Sequence, residues 1–538
     1  MVTEKSLLSS DDNDEKTVLM DQHEELYSSD YSTDSIDLTS KIDEIVDAFD
    51  IRLFHYVITI VCGLGYGGYS LLFQSLGFIV VAACDLDINR NNKGWVGLTF
   101  MIGITVGFGI FGKLADTYGR RKILVLCLLI NWISILGCVF AYNYVMFVIM
   151  TGAFSLGCAG VSTTVYPYVT EFFPRRHRGR AGAVLSTFIT LGTTVGSIIA
   201  LVVLPRSFYI PMGAIYFTSW RLYLLIGTIP TLLSLCILLC MPNSLRFVLA
   251  NNDRKGIRNV LNKINQINSC FNSASDSYYQ EIHFQLNHLD VRLNNIYDNV
   301  RNDSYKDFMD NIRKLMKQPW RKRLLILIIM WFGYCFTEQG FILWVPTVTA
   351  YYVSGKTCWH HHASKDNHLS WNATHFMNST NFDCQSGESL KSVVLNVLIG
   401  NLLSIPTAIL CFLLINRVGR KALYIVLVSI SGLSIIMMLI FDNTQSVMIL
   451  ACIFTSITVN GWTPCKIWTT ELFRTEFRST AAGIVGFIGY FGGILGMIIF
   501  SSLFYSNCIA TFTIFSSFCL LSAFVALFLP DTTNADIG

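Results

Sequence analysis

The chain of 538 residues is 52% hydrophobic and 13% aromatic but only 14% charged, with a mean hydropathy of +0.49. Soluble domains carry about 25% charged residues, so this composition excludes a water-facing globule of comparable size and marks a membrane protein. A net charge of +3 is too small to single out nucleic acid as a partner.

Residues 1–50 hold fifteen Asp and Glu against three Lys (Lys5, Lys16 and Lys41). Such a segment cannot bury enough apolar surface to order itself, so it predicts an acidic tail. It lacks the basic and apolar regions of a signal peptide. Its Glu4-Lys-Ser-Leu7-Leu8 is one residue short of an acidic dileucine signal, and sorting proteins are the partners the tail suggests. The last stretch, KIDEIVDAF, is spaced for a short amphipathic helix.

A helical span needs roughly 17–25 apolar residues to cross the hydrocarbon core. Twelve candidates follow, beginning near Leu53, Trp95, Lys122, Tyr144, Ala181, Trp220, Arg323, Lys391, Lys421, Val447, Ala481 and Asn507. Glycine-rich stretches at 63–69 and 486–496 permit close helix approach in lipid, or local bending. The turns after spans 2, 4, 8 and 10 are rich in Lys and Arg, and those after spans 3, 9 and 11 have none. The positive-inside rule therefore predicts that these even turns and both termini are cytosolic. The long loop after span 6, ending Trp320-Arg-Lys-Arg323, is expected on the same side.

The loop after span 7, about 351–390, then faces the lumen or exterior. It carries glycosylation sequons at Asn372 and Asn378, whereas the sequon at Asn302 lies on the cytosolic side and is expected to stay bare. Cys358 and Cys384 flank the usable sequons and are a candidate disulfide, with Cys84 and Cys508 near the same face. Five of the ten histidines (His360, His361, His362, His368 and His375) sit in this loop and read as solvated polar residues. The sixteen cysteines show no CxxC or Cys/His spacing, so neither a metal site nor any cofactor is indicated.

Comparison of the chain with itself at an offset of 300 aligns Asp116 with Asn416, Gly119 with Gly419, Arg120 with Arg420 and Arg121 with Lys421. The same offset places Glu171 on Glu471 and Arg178 on Arg478. Several anchors at one spacing indicate a duplication. The predicted divisions are 1–50 for the cytosolic tail, 51–242 for one six-helix bundle and 243–322 for a cytosolic loop. The second bundle is 323–530, including the glycosylated loop 351–390, and the C-terminus 531–538 is cytosolic. In each charged turn the glycine allows a tight bend, and the charges can anchor in headgroups or pair across the halves, closing one side of a pathway.

Gly112, Asp116, Gly119, Arg120 and Arg121, with their copy Asn416, Arg417, Gly419, Arg420 and Lys421, resemble the signature turns of the major facilitator superfamily. The runs Glu171, Arg178, Gly179, Arg180 and Glu471, Arg478 are similar to a second paired motif of its sugar-porter and organic-ion branches. The resemblance implies an all-α membrane protein in which two pseudo-symmetric six-helix bundles of twelve transmembrane helices rock about a central site. KIDEIVDAFDIRLFHY, NNKGWVGL, SWR, PNSLRFVLANN, WFGYCFTEQGFILWVPTV and NGWTPCKIWTTELF resemble the synaptic vesicle glycoprotein two and synaptic-vesicle-related-protein family. The match covers about 41–530. Leu53–Val80 lacks the acidic residue of many members, and the family's P-E-S-P-R appears here as Pro242-Asn-Ser-Leu-Arg246. The shorter luminal loop is nearer the related-protein type.

Charges inside spans are costly and mark pathways. Glu338 lies about halfway along span 7 beside Gln339, and Lys466 lies in span 10, close enough to one end to snorkel. Tyr66, Tyr69 and Gln74 in span 1, Trp331 in span 7, and Asn460 and Trp462 in span 10 complete the candidate cavity; the resemblance places Trp462 at a pocket position. Trp344 and Trp468 read as interface anchors. Glu338 favours a cationic solute, Lys466 an anionic one, and both together a zwitterion or neutral polar molecule. Glu338 is also the candidate for proton coupling.

These features point to a secondary transporter of a small organic solute in the plasma membrane or a vesicle membrane. The rival is a non-transporting receptor or trafficking protein that keeps the fold. With no P-loop and no nucleophile–base pair, an enzyme or ATP-driven pump is not expected.

Overall fold

The computed structural model describes residues 51–531 except 87, 89–91, 207, 214, 245–246, 249–253, 270–311, 314, 360–387, 416 and 474–477. Among the described residues, twelve helices are long and apolar enough to cross a membrane: Leu53–Ala82, Gly94–Ala115, Arg120–Val139, Tyr144–Thr170, His177–Val203 and Ser219–Leu238 in the first half, and Trp320–Ile342, Glu388–Leu414, Arg420–Ile440, Thr444–Thr469, Thr480–Leu503 and Cys508–Ala526 in the second. These are spans 1–12. Their starts agree with the expected ones to within a few residues. A continuous helix satisfies its own backbone, which lipid requires.

Three spans depart from regularity. Span 6 is broken at Thr228, just before Pro230, whose missing N–H cannot continue the ladder. Span 7 continues beyond Trp344 as a second helix, Val345–Val353. Span 10 tightens into a 3₁₀ turn at Val459–Gly461. After span 6, the helix Arg254–Ser269 packs under the first half: Val260 and Ile264 are buried there, and Asn268 Oδ1 accepts the backbone N–H of Phe54 at 2.9 Å, capping the start of span 1. A short hairpin, Ile210–Met212 with Ile215–Phe217, joins spans 5 and 6.

Side-chain packing separates the two ends of the molecule. At the end away from the basic turns, one buried cluster runs across both halves, joining Leu76, Phe100 and Met101 to Leu343, Met497 and Phe500. A Cβ on Gly94 would stand 2.4 Å from Cβ of Ser501, and one on Gly97 2.8 Å from Sδ of Met497, so spans 2 and 11 touch closely here. Asn401 of span 8 donates to Ser197 Oγ of span 5 at 2.9 Å, a second tie between halves. At the basic end the described residues pack within each half, the first around Phe54, Tyr168 and Leu238, the second around Leu327, Trp468 and Ala526 with a smaller cluster of Cys411, Ile415, Leu423 and Leu427.

The loop after span 7 corrects one expectation. Cys358 is disulfide-bonded to Cys508 at the start of span 12, not to Cys384, which lies outside the described residues. Cys84 is also disulfide-bonded. The reason is local: Asp442, at the end of span 9, accepts from Tyr352 Oη at 2.6 Å and from the backbone N–H groups of Cys358 and Trp359 at 3.2 and 3.1 Å. These bonds fold the loop back over the bundle and lay Cys358 against span 12. Both tryptophans read as interface anchors are buried instead. Trp344 stacks on Phe500, and Trp468 donates to the Pro530 carbonyl at 3.1 Å. Proteolysis without reduction should therefore yield a cross-linked peptide pair containing Cys358 and Cys508. A Cys358–Cys384 pair found by mass spectrometry would overturn this connectivity.

Candidate functional site

The site grows from the break in span 10. The 3₁₀ turn leaves the Thr458 carbonyl without its helical partner, and Tyr334 Oη of span 7 donates to it at 2.6 Å. Gly461 makes this approach possible, since a Cβ there would lie 2.9 Å from Tyr334 Oη. Asn460 is held in place as well, its amide donating to Thr407 Oγ1 and the Ser456 carbonyl at 2.8 Å. Beyond the turn, Trp462 projects among Tyr334, Trp331 and Tyr490, with ring centroids 5.2, 5.4 and 6.3 Å away.

Glu338 is buried beside these rings. Gln339 donates to its carboxylate. Trp331 donates to Thr469 Oγ1 at 2.9 Å, which fixes its ring against span 10. Lys466 does not snorkel toward the basic end: its ammonium lies over the face of Trp462, one turn deeper, 5.0 Å from the ring centroid. It is solvent-exposed and lies within electrostatic range of Glu338 without a direct ion pair. The first half contributes Tyr66 and Tyr69, stacked at 5.7 Å. Gln74 is half-buried further along span 1.

Sequence reasoning missed two rings that join the halves. Phe108 of span 2 stacks on Tyr490 of span 11 at 4.7 Å, and Tyr490 continues to Trp462. A lone tyrosine among the glycines of 486–496 was the available signal.

The two basic turns adopt one geometry. Gly119 and Gly419 have φ of 96° and 97°, a region that favours glycine. Arg120 forms an ion pair with Glu171, which Ser244 Oγ also contacts, and Arg420 pairs with Glu471 at 3.1 Å. Arg121 donates to the carbonyls of Leu238 and Leu239, and Lys421 to those of Leu527 and Leu529. Each thus caps the carbonyl end of the last span of its half, where cations are favoured. Each of these bonds links elements of one half. Arg178 Nε donates to the Phe173 carbonyl at 3.1 Å. Gly112 is half-buried, and Gly179, Arg180 and Arg417 are exposed. Asn372, Asn378, Arg246 and Asn416, with the side chains of Asp116 and Arg478, lie outside the described residues.

The sequence profile of the Major Facilitator Superfamily matches residues 53–358 and 387–536. The chain belongs to this family. It is a multi-pass integral membrane protein of a transporter family, not an enzyme. Synaptic vesicle glycoprotein 2B of Mus musculus is 23% identical over 93% of this chain and 86% of its own length. The niacin transporter NiaP of Acinetobacter baylyi is also 23% identical, over 86% of this chain and 90% of its own. The partially occluded inward open structure of the xylose transporter XylE from E. coli superposes with a TM-score of 0.62 at 16% identity. It covers 90% of this chain and all of that one. At that identity the likeness speaks to the fold alone.

The positive φ at both turns gives a paired prediction. Gly119→Val should lower the melting temperature, because a side chain costs about 1–2 kcal/mol in such a conformation and its Cβ would stand 2.9 Å from the Phe247 ring. Gly109→Ala, where no atom lies within 4 Å of the new Cβ, should leave it within experimental error. Equal melting temperatures for both variants, read by fluorescence in detergent, would count against the turn geometry.

Proposed function

We propose that the protein is a secondary transporter of a small organic solute, working by alternating access with Glu338 as the proton-coupling group. The observation that carries this reading is the asymmetry of the packing among the described residues: one core shared by both halves at one end, cores each confined to one half at the other, and the aromatic site with Glu338 and Lys466 between them. A body built this way opens to one side only and can open to the other by exchanging which end is shared. The turns at Gly119 and Gly419 brace each half internally, so each half can move as a unit. The basic end faces the cytosol, and the 351–390 loop with Asn372 and Asn378 faces the lumen or exterior. The names of the synaptic vesicle relatives support a vesicle membrane, and the plasma membrane is the other reading.

NiaP, by its name, carries niacin, and XylE carries xylose; both support a small organic cargo here. One observation favours the second reading, a receptor that keeps the fold. Span 1 has no acidic residue, and the synaptic vesicle glycoproteins are not named for transport.

Spin labels introduced at Gly109 and Gly483, both in open space near the basic ends of spans 2 and 11, test the reading directly. Transport predicts two distance populations whose ratio shifts with at least one compound from a panel of organic cations, anions, amino acids and sugars. A single distribution insensitive to every compound is the receptor outcome. Once a cargo is known, Glu338→Gln should abolish dependence of uptake on a pH gradient in proteoliposomes. Retained dependence rules out the coupling role.

A further inference from the structure

The polar groups of the site differ in what they offer a solute entering between the halves. Glu338 is 4% exposed, and its carboxylate accepts from Gln339. Asn460 is 7% exposed, with its amide nitrogen committed to spans 8 and 10. Lys466 is the opposite case. The residue is exposed, its ammonium rests on the face of Trp462, and among the described residues it has no hydrogen-bond or ion-pair partner. The cations of the basic turns are not comparable. Arg120 and Arg420 hold Glu171 and Glu471, and Arg121 and Lys421 cap helix carbonyls. From Trp462 the ring stack continues to Tyr490, near-parallel at 23°, and from there to Phe108.

We propose that the solute is an organic monocarboxylate with a planar aromatic body, its carboxylate bound by Lys466 and its ring laid against Trp462 and Tyr490. This rests on the transporter reading above and names the cargo class of that same site. An ammonium without an acidic partner in a partly enclosed site is the group that gains most from an entering anion, because little competing solvation has to be removed from a paired neighbour. Aromatic faces add contact area but do not select a charge. The buried, engaged carboxylate of Glu338 does not present itself to a cation in this conformation. The sign of the cargo is therefore set by Lys466.

The test uses the full-length protein purified in detergent and three ring compounds of similar size: benzoate, benzamide and benzyltrimethylammonium. Affinities are measured by calorimetry on wild type, Lys466→Gln, Lys466→Arg and Trp462→Ala, with monodispersity and melting temperature confirming the fold of each. Benzoate should bind wild type more tightly than either of the others. Lys466→Gln should weaken benzoate by about tenfold or more while leaving benzamide unchanged, and Lys466→Arg should keep most of the benzoate affinity. Equal benzoate affinity in wild type and Lys466→Gln, or preferential binding of the ammonium compound, overturns the carboxylate proposal. If in that case the binding that remains is lost in Trp462→Ala, the site itself still stands. No binding of any of the three by folded wild type overturns both the cargo class and the site.

Discussion

Helices in a bilayer gain nothing by hiding apolar side chains from one another, because lipid is as apolar as leucine, so association depends on close approach and interhelical hydrogen bonds. This constraint shapes the whole molecule. A Cβ on Gly192 of span 5 would stand 2.1 Å from the Gly67 carbonyl of span 1, and one on Gly496 of span 11 2.4 Å from the Phe336 carbonyl of span 7. The two contacts occupy corresponding places in the two halves. They show the glycine-rich stretches acting as packing surfaces. The polar ties, such as Ser234 Oγ to the Val61 carbonyl at 2.7 Å and Thr337 Oγ1 to the Phe515 carbonyl at 3.0 Å, do the rest.

Duplication supplies two copies of one mechanical unit, and divergence makes them unequal where it matters. At the basic end the copies agree down to the ion pair and the cap on the last span. At the other end they differ. The first half uses Asp85, which accepts from Trp220 Nε1 at 2.6 Å and pairs with buried Arg221 at 2.8 Å, while Arg221 also caps the carbonyls of Val139 and Ala141. The second half places Asp442 under the Cys358 loop and adds the disulfide to Cys508. Both devices bind a loop to span ends through one carboxylate, and both stiffen the end where the halves share a core. At the basic end the ion pairs and caps described above each lie within one half.

The site inherits this division. Its framework is aromatic and mostly anchored: Tyr334 on Thr458, Trp331 on Thr469, Glu338 held by Gln339. Side chains held this firmly on helices give a preorganised surface. Lys466 is the exception: among the described residues it has no ion-pair partner, and such a charged group is where a ligand finds its strongest new interaction.

The twelve spans, the duplication, the paired basic turns and the two intramembrane charges were all legible in the sequence. Each rests on a short-range property: hydropathy over a window, a repeat spacing, or a charge in an apolar run. The fold class followed from these, because span length and backbone satisfaction leave few alternatives in lipid. Three features were decided only by tertiary structure. Cys358 bonds Cys508 because Asp442, distant in sequence, draws the loop across the bundle. Trp344 and Trp468 are buried because other spans cover them, which no local pattern records. Lys466 turns inward over Trp462 because the broken turn at Val459–Gly461 sets that ring beneath it. Contacts between segments far apart in the chain depend on how helices rotate and cross, and a single sequence carries no signal for that.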